Sequence, residues 1–247
     1  MENLFRLITS RFLNTSALLD LEEKLMGIPD PILSRLLSLY AGQPQRGSDG
    51  ALYSIDAVTR IQPGQGMILY ELCRSVQPRS TLEIGMAYGF STLFLLAALV
   101  QNQKGTHTAI DPFQSSSFNG IGLTLALESS ALLADRNAFQ LIEDRSDRVA
   151  TDFARSGQRF DLIFIDGNHR YDDVLTDFYL YSQLAYDGGI IILDDMWMRS
   201  VKTAADFIRT NRSDFKELAS PSRKLCLFQK VGNDSRRWDH FTRFRVF

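Results

Sequence analysis

Thr81-Leu82-Glu83-Ile84-Gly85-Met86-Ala87-Tyr88-Gly89-Phe90-Ser91 is the stretch on which the fold reading rests. Residues 81–85 read as a buried β-strand, and the apolar run over residues 91–100 reads as the helix behind it. Gly85 and Gly89 bracket the turn between them, where missing Cβ atoms let backbone amides approach a ligand closely. Strand-to-helix turns also use glycine for packing, so the turn alone names no ligand.

The same alternation continues outward from this turn. Further strands are expected over residues 106–111, 139–142, 160–166 and 189–194, with helices over 123–133, 147–155, 172–185 and 201–209. Strands that are apolar on both faces and separated by helices imply a parallel sheet covered on each side. The runs 215–219 and 224–230 are separated only by Ser220-Pro221-Ser222-Arg223. That connection is too short for a crossover helix, so the two runs should pair as an antiparallel hairpin. The expected fold is therefore α/β, a Rossmann-like seven-stranded mostly parallel sheet with a C-terminal antiparallel hairpin.

Residues before 80 read as helices over 4–13, 18–26 and 32–40, a Gly/Pro/Gln-rich link, and a helix near 65–74. We read residues 1–61 as an N-terminal helical cap or oligomerisation segment over the sheet's ligand edge. Residues 62–247 form the second part, a cofactor-binding domain. A chain of 247 residues can bury one large core. Lys+Arg 27 against Asp+Glu 29 gives a net charge of −2, with no basic excess to pair with phosphates, which argues against nucleic acid. The short basic and aromatic stretch 236–245 is expected to be a packed or oligomer-forming tail. No secretory start or membrane-length apolar run is present, and Cys73 and Cys226 read as buried free thiols, so a cytoplasmic protein is expected.

In an open α/β sheet, ligands bind beyond the carboxyl ends of the strands. Asp111 ends the second strand about 20 residues past the glycine turn, where an acid can accept hydrogen bonds from a ribose hydroxyl pair. The alternative is an acid that caps the loop before Pro112. Met86-Ala87 stands where a dinucleotide turn would carry its middle glycine. An adenosine ligand without a pyrophosphate meets both observations.

These features resemble class I S-adenosylmethionine (SAM) methyltransferases: Glu83-Ile84-Gly85-x-x-x-Gly89, the strand-end Asp111, and Phe160-Asp161 opening a strand that ends in Asp166. The resemblance implies cofactor contacts from Glu83, Gly85, Gly89, Ser91, Asp111 and Asp166. It also implies an adenine-contacting loop at residues 143–147, where Ser146 is the candidate.

Strand four runs into Ile165-Asp166-Gly167-Asn168-His169-Arg170-Tyr171, and strand five into Leu193-Asp194-Asp195-Met196-Trp197. Both ends face one crevice, so the three carboxylates should converge. Their mutual repulsion is relieved either by a hard divalent cation such as Mg²⁺ or by solvation at turn and helix caps. Asp-Gly-x-His-x-Tyr, followed by Gly-Gly and paired strand-end acids, resembles metal-dependent natural-product O-methyltransferases. The macrocin-type enzymes acting on macrolide sugars and those acting on aminocoumarins are nearest in pattern. Catechol and caffeoyl-CoA enzymes are more distant, with Asp-Asn where this chain has Asp194-Asp195.

That resemblance covers residues from about 62 to 230. It implies Asp166, Asp194 and Asp195 as metal ligands, His169 as general base with Asp166 beside it, and a small hydroxylated acceptor. A homo-oligomer is also implied. A loop histidine satisfied by a backbone carbonyl is the alternative for His169. His107, mid-strand, shows no partner that suggests chemistry. Tyr53, Phe118 and Trp197 can line an acceptor pocket or pack in the core. Rival functions are an NAD-dependent Rossmann oxidoreductase, a cephalosporin-hydroxylase-like relative, and a non-catalytic SAM-binding partner.

Overall fold

The computed structural model describes residues 15–135 and 137–244. The helix expected over residues 4–13 lies outside them. Helices α1 (Thr15–Lys24), α2 (Asp30–Tyr40) and α3 (Pro63–Val76) lead the chain. Pro63 opens α3 at a position whose amide has no helical partner, and Gln62 and Gln65 close a reciprocal cap around it. The polar link between α2 and α3 holds a feature with no sequence signal, a two-residue antiparallel ribbon of β1 (Gln45–Arg46) and β2 (Leu52–Tyr53).

From Ser80 onward the expected alternation is present. In order come β3 (Ser80–Ile84), α4 (Phe90–Asn102), β4 (Thr106–Ile110), α5 (Ile121–Ser130), β5 (Phe139–Ile142) and α6 (Ser146–Ser156). They are followed by β6 (Phe160–Ile165), α7 (Tyr171–Ser182), β7 (Ala185–Leu193), α8 (Arg199–Asn211), β8 (Phe215–Leu218) and β9 (Cys226–Lys230). Among the described residues the main sheet has seven strands in the order β5-β4-β3-β6-β7-β9-β8. β3 with β6 and β6 with β7 pair parallel; β7–β9 pair antiparallel, and so do β8–β9, as their short connection requires. Strand β7 starts four residues before the expected 189, because Ala185 pairs with Phe160 ahead of a register shift.

The described chain forms two compact units. One takes the residues up to Gln77 with Met86–Thr106 and Phe113–Leu141; the other takes Pro78–Gly85, His107–Pro112 and the chain from Ile142 onward. In the first unit, α4 is apolar all round and buried from Phe90 to Val100, as a helix without a polar face must be. Gly66 of α3 makes room for the ring of Phe94, since a Cβ there would sit 2.1 Å from it.

In the second unit, Leu82, Phe160, Ile163, Ile191 and Phe228 from the strands pack with Phe178 and Tyr181 of α7 and Ala204 and Ile208 of α8. Each large side chain buried this way stabilises by roughly 1.5–3 kcal/mol. Asp161, read as part of a family motif, has a structural task. Its Oδ2 accepts the backbone N–H groups of Arg79 and Ser80 at 2.8 and 3.0 Å, tying β6 to the start of β3. In the tail, Asn211 and Thr242 exchange two hydrogen bonds and the Phe207 and Phe244 rings meet edge to face, so Thr242 and Phe244 pack against α8, while Trp238 and Phe241 are exposed. Among the described residues, no helix is long and apolar enough to cross a membrane.

Candidate active site

Strand register places the site. Ile84 pairs with Ile165, and Ile165 with Leu193, so β3, β6 and β7 end level with one another. The ladder runs one residue further: Asp166 N donates to Ile84 O at 2.9 Å, and Asp194 N to Ile165 O at 3.2 Å. Gly85 N donates to Ile110 O and Asp111 N to Ile142 O in the same way. Gly85, Asp111, Asp166 and Asp194 are thus the first residues past the carboxyl edge of their strands, in the second unit.

Gly85 is there for two reasons. Its φ of +90° lies in the region that side chains disfavour, and a Cβ would stand 2.2 Å from the carbonyl oxygen of Asp166. Backbone packing against Asp166 is therefore enough to require glycine, whatever ligand approaches. In the first unit, Gly89 (φ +84°) precedes α4, where a Cβ would meet Gly122 at 3.1 Å. Ser91 is buried in the first turn of α4.

The side chains brought together are Asp166, His169 and Asp195. His169 Nε2 lies 2.8 Å from Asp195 Oδ2 and 3.3 Å from Asp166 Oδ1. One ligand atom from each of the three falls within 4.8 Å of the others, close enough to hold one metal ion. Hydrogen bonds to Asp166 and then Asp195 push the His169 pKa up against a smaller opposing desolvation. Desolvation raises Asp166, while the hydrogen bond from His169 lowers Asp195. The partners of His169 are carboxylates, in place of the backbone carbonyl that a purely structural loop histidine would use.

Asp194 and Asp195 part company. Asp194 is buried, and its Oδ1 accepts the Asp195 amide at 2.7 Å; its carboxylate is outside the three-residue cluster. Asp195 takes φ +55°, a left-handed conformation that aspartate tolerates better than most residues. That turn directs it to His169. Its other oxygen, Oδ1, accepts the indole N–H of Trp197 at 2.7 Å.

Glu83 is fully buried with Oε2 3.4 Å from His107 Nε2, and His107 Nδ1 lies 2.8 Å from Thr81 Oγ1. His107, which the sequence left without a chemical partner, is the neighbour of a candidate cofactor residue. Alternation along β3 and β4 puts these three on one face, but strand order is needed to see it. Asp111 is buried at the end of β4. Ser146, in the first turn of α6, donates to Asp177 Oδ1 at 2.6 Å. In the first unit, Tyr53 donates to Asp49, and Phe118 packs edge to face on Tyr88.

Asp177 carries a testable consequence. Burial raises its pKa to about 6, against a smaller lowering by the Ser146 hydrogen bond. Because the folded form holds its proton more tightly than the unfolded chain, Asp177 lowers stability progressively as pH rises from about 4 to about 6. Asp177→Asn keeps an acceptor for Ser146 and removes that dependence. Chemical denaturation at pH 7 is expected to show the variant more stable by roughly 2–3 kcal/mol, the worth of a two-unit shift. The two proteins should converge near pH 4; equal stability at pH 7 would refute the assignment.

Residues 82–196 match the family model described as a methyltransferase domain. No curated protein matches the chain. Solved structures do. The O-methyltransferase TomG of Streptomyces achromogenes, involved in tomaymycin synthesis and solved with SAM, is 21% identical over 71% of this chain and 83% of its own, with a TM-score of 0.57. An SAH-bound methyltransferase of Podospora anserina is 17% identical over 89% and 97% of the two chains, at 0.64. An O-methyltransferase of Bacillus cereus in complex with SAH is 17% identical over 85% and 95%, at 0.61. The fold of this chain is that of these methyltransferases, and the matched domain spans both strand ends that bear Asp166 and Asp195.

Proposed function

We propose that this chain is a SAM-dependent O-methyltransferase that transfers a methyl group to a hydroxyl of a small molecule, with a divalent cation such as Mg²⁺ at its acceptor site. The observation that carries this reading is the convergence of Asp166, His169 and Asp195 at the level carboxyl edge of β3, β6 and β7. The methyltransferase-domain match supports it, as do the three structural neighbours whose ligands are SAM or SAH.

When bound, SAM supplies an electrophilic methyl on a sulfonium, and the cation supplies Lewis acidity that makes an acceptor hydroxyl more acidic. The residues present fit both. In this reading Asp111, just past β4, takes the ribose hydroxyls, the backbone of the Gly85 turn faces the cofactor, and Ser146, first residue of α6, is assigned to the adenine. Asp166 and Asp195 offer carboxylate oxygens to the cation, with Asp194 bracing the Asp195 amide from behind. Oxygen donors of this kind suit Mg²⁺.

His169 Nε2 faces the same point as the two carboxylates, and as an imidazole nitrogen it is the group of this cluster that would take the hydroxyl proton. Trp197, exposed at the same strand end, donates its indole N–H to Asp195. The buried thiols Cys73 and Cys226 accord with a cytoplasmic setting, which belongs to this reading.

Calorimetric titration of SAM, with and without Mg²⁺, tests it. Asparagine tolerates the left-handed backbone of residue 195, so Asp195→Asn removes charge without straining the turn. Wild type is expected to bind SAM saturably and to show a separate Mg²⁺ response, and Asp195→Asn to bind SAM while losing that response. Absence of SAM binding by wild type under both conditions would overturn the proposal.

A further inference from the structure

Trp197 is two-thirds exposed (66%), so burial explains little of its position, yet its indole N–H makes a 2.7 Å bond to Asp195 Oδ1. The other oxygen of that carboxylate is 2.8 Å from His169 Nε2. The two bonds divide the carboxylate: one oxygen faces the indole, the other faces the cluster with Asp166. The terminal torsion of an aspartate is broad, so a bond to each oxygen fixes the carboxylate plane more narrowly than the His169 contact does by itself. Met196 N donates to Lys224 O at 2.9 Å, fastening the segment that carries Trp197 to the turn before β9. The indole is therefore mounted on an anchored backbone, as a group that sets another group's direction needs to be.

We propose that Trp197 is a positioning residue, whose Nε1–H holds Asp195 Oδ1 and so keeps Oδ2 turned toward Asp166 and His169. This rests on the reading of Asp195 as a ligand for a divalent cation. Groups that orient a ligand from behind typically contribute 10–100-fold in metal affinity. The cost of losing the bond falls on affinity rather than folding, because the ring is mostly in solvent already.

The test is Mn²⁺ titration of the full chain without acceptor, with free Mn²⁺ read by its paramagnetic resonance signal. Trp197→Phe keeps a ring and deletes the N–H; Trp197→Gln deletes the ring and keeps an N–H of similar reach. The expected result is a 10–100-fold weaker Mn²⁺ Kd for Trp197→Phe. Trp197→Gln should stay within about threefold of wild type, and all three proteins should share a thermal midpoint. Equal Kd values for wild type and Trp197→Phe, or equal losses in both variants, would overturn the positioning role and leave the methyltransferase reading standing. Wild type that binds no Mn²⁺ at all would sink the cation site itself, and this inference with it.

Discussion

Turnover with a hydroxylated acceptor is expected to fall by about 10²–10⁴-fold in His169→Gln, the range that one general base supplies. SAM affinity should stay within about threefold, since no cofactor contact is assigned to this side chain. Glutamine retains an N–H that can point at Asp195 but has no nitrogen able to accept a proton near neutral pH. The comparison therefore separates proton transfer from simple anchoring of the Asp195 carboxylate, which lies 2.8 Å from His169 Nε2. Measured as kcat at saturating SAM and cation, the deficit should shrink as pH rises, because an acceptor that ionises unaided no longer needs the base. A variant with wild-type kcat at neutral pH would show that His169 only orients the acids. A deficit that stays constant with pH would point the same way.

Gly85→Ala is expected to be among the most destabilising single substitutions in the chain, about 3–5 kcal/mol. Two costs combine. The backbone at φ +90° is strained for any side chain, and the new methyl would lie 2.2 Å from Asp166 O and 2.7 Å from Asp166 C. Those are backbone atoms held by the Asp166 N–H bond to Ile84 O, so they cannot swing aside as a side-chain tip would. Relief requires moving the strand end that carries Asp166, which should also weaken cation binding. Thermal unfolding should show a midpoint lower by on the order of 10 °C. A midpoint within 2 °C of wild type would mean that the β3–β6 edge yields more easily than its ladder implies. Gly157, with open space around the position of a Cβ, is the control: its alanine variant meets only the cost of its φ of +73°.

The strands of the main sheet and their order along the chain were legible because most are short apolar runs bounded by polar or glycine residues. Phe139–Ile142 and the hairpin of Phe215–Leu218 with Cys226–Lys230 fall where that pattern puts them. Strand-end acids were legible too, since a chain leaving a buried strand changes character within one residue, as at Ile165-Asp166 and Leu193-Asp194.

Residue order was enough to name the chemistry-bearing side chains and the edge of the sheet at which they lie. Tertiary structure alone decided which of them meet. Adjacent Asp194 and Asp195 look equivalent as letters, but the first continues the ladder and is buried, while the second turns left-handed toward His169. The Glu83–His107 pair spans neighbouring strands 24 residues apart, and the Trp197–Asp195 bond depends on a turn no periodicity encodes. Composition and period report each residue's burial and each segment's local geometry. Side-chain partnership depends on strand register and on single backbone dihedrals, and these are fixed only when the sheet assembles.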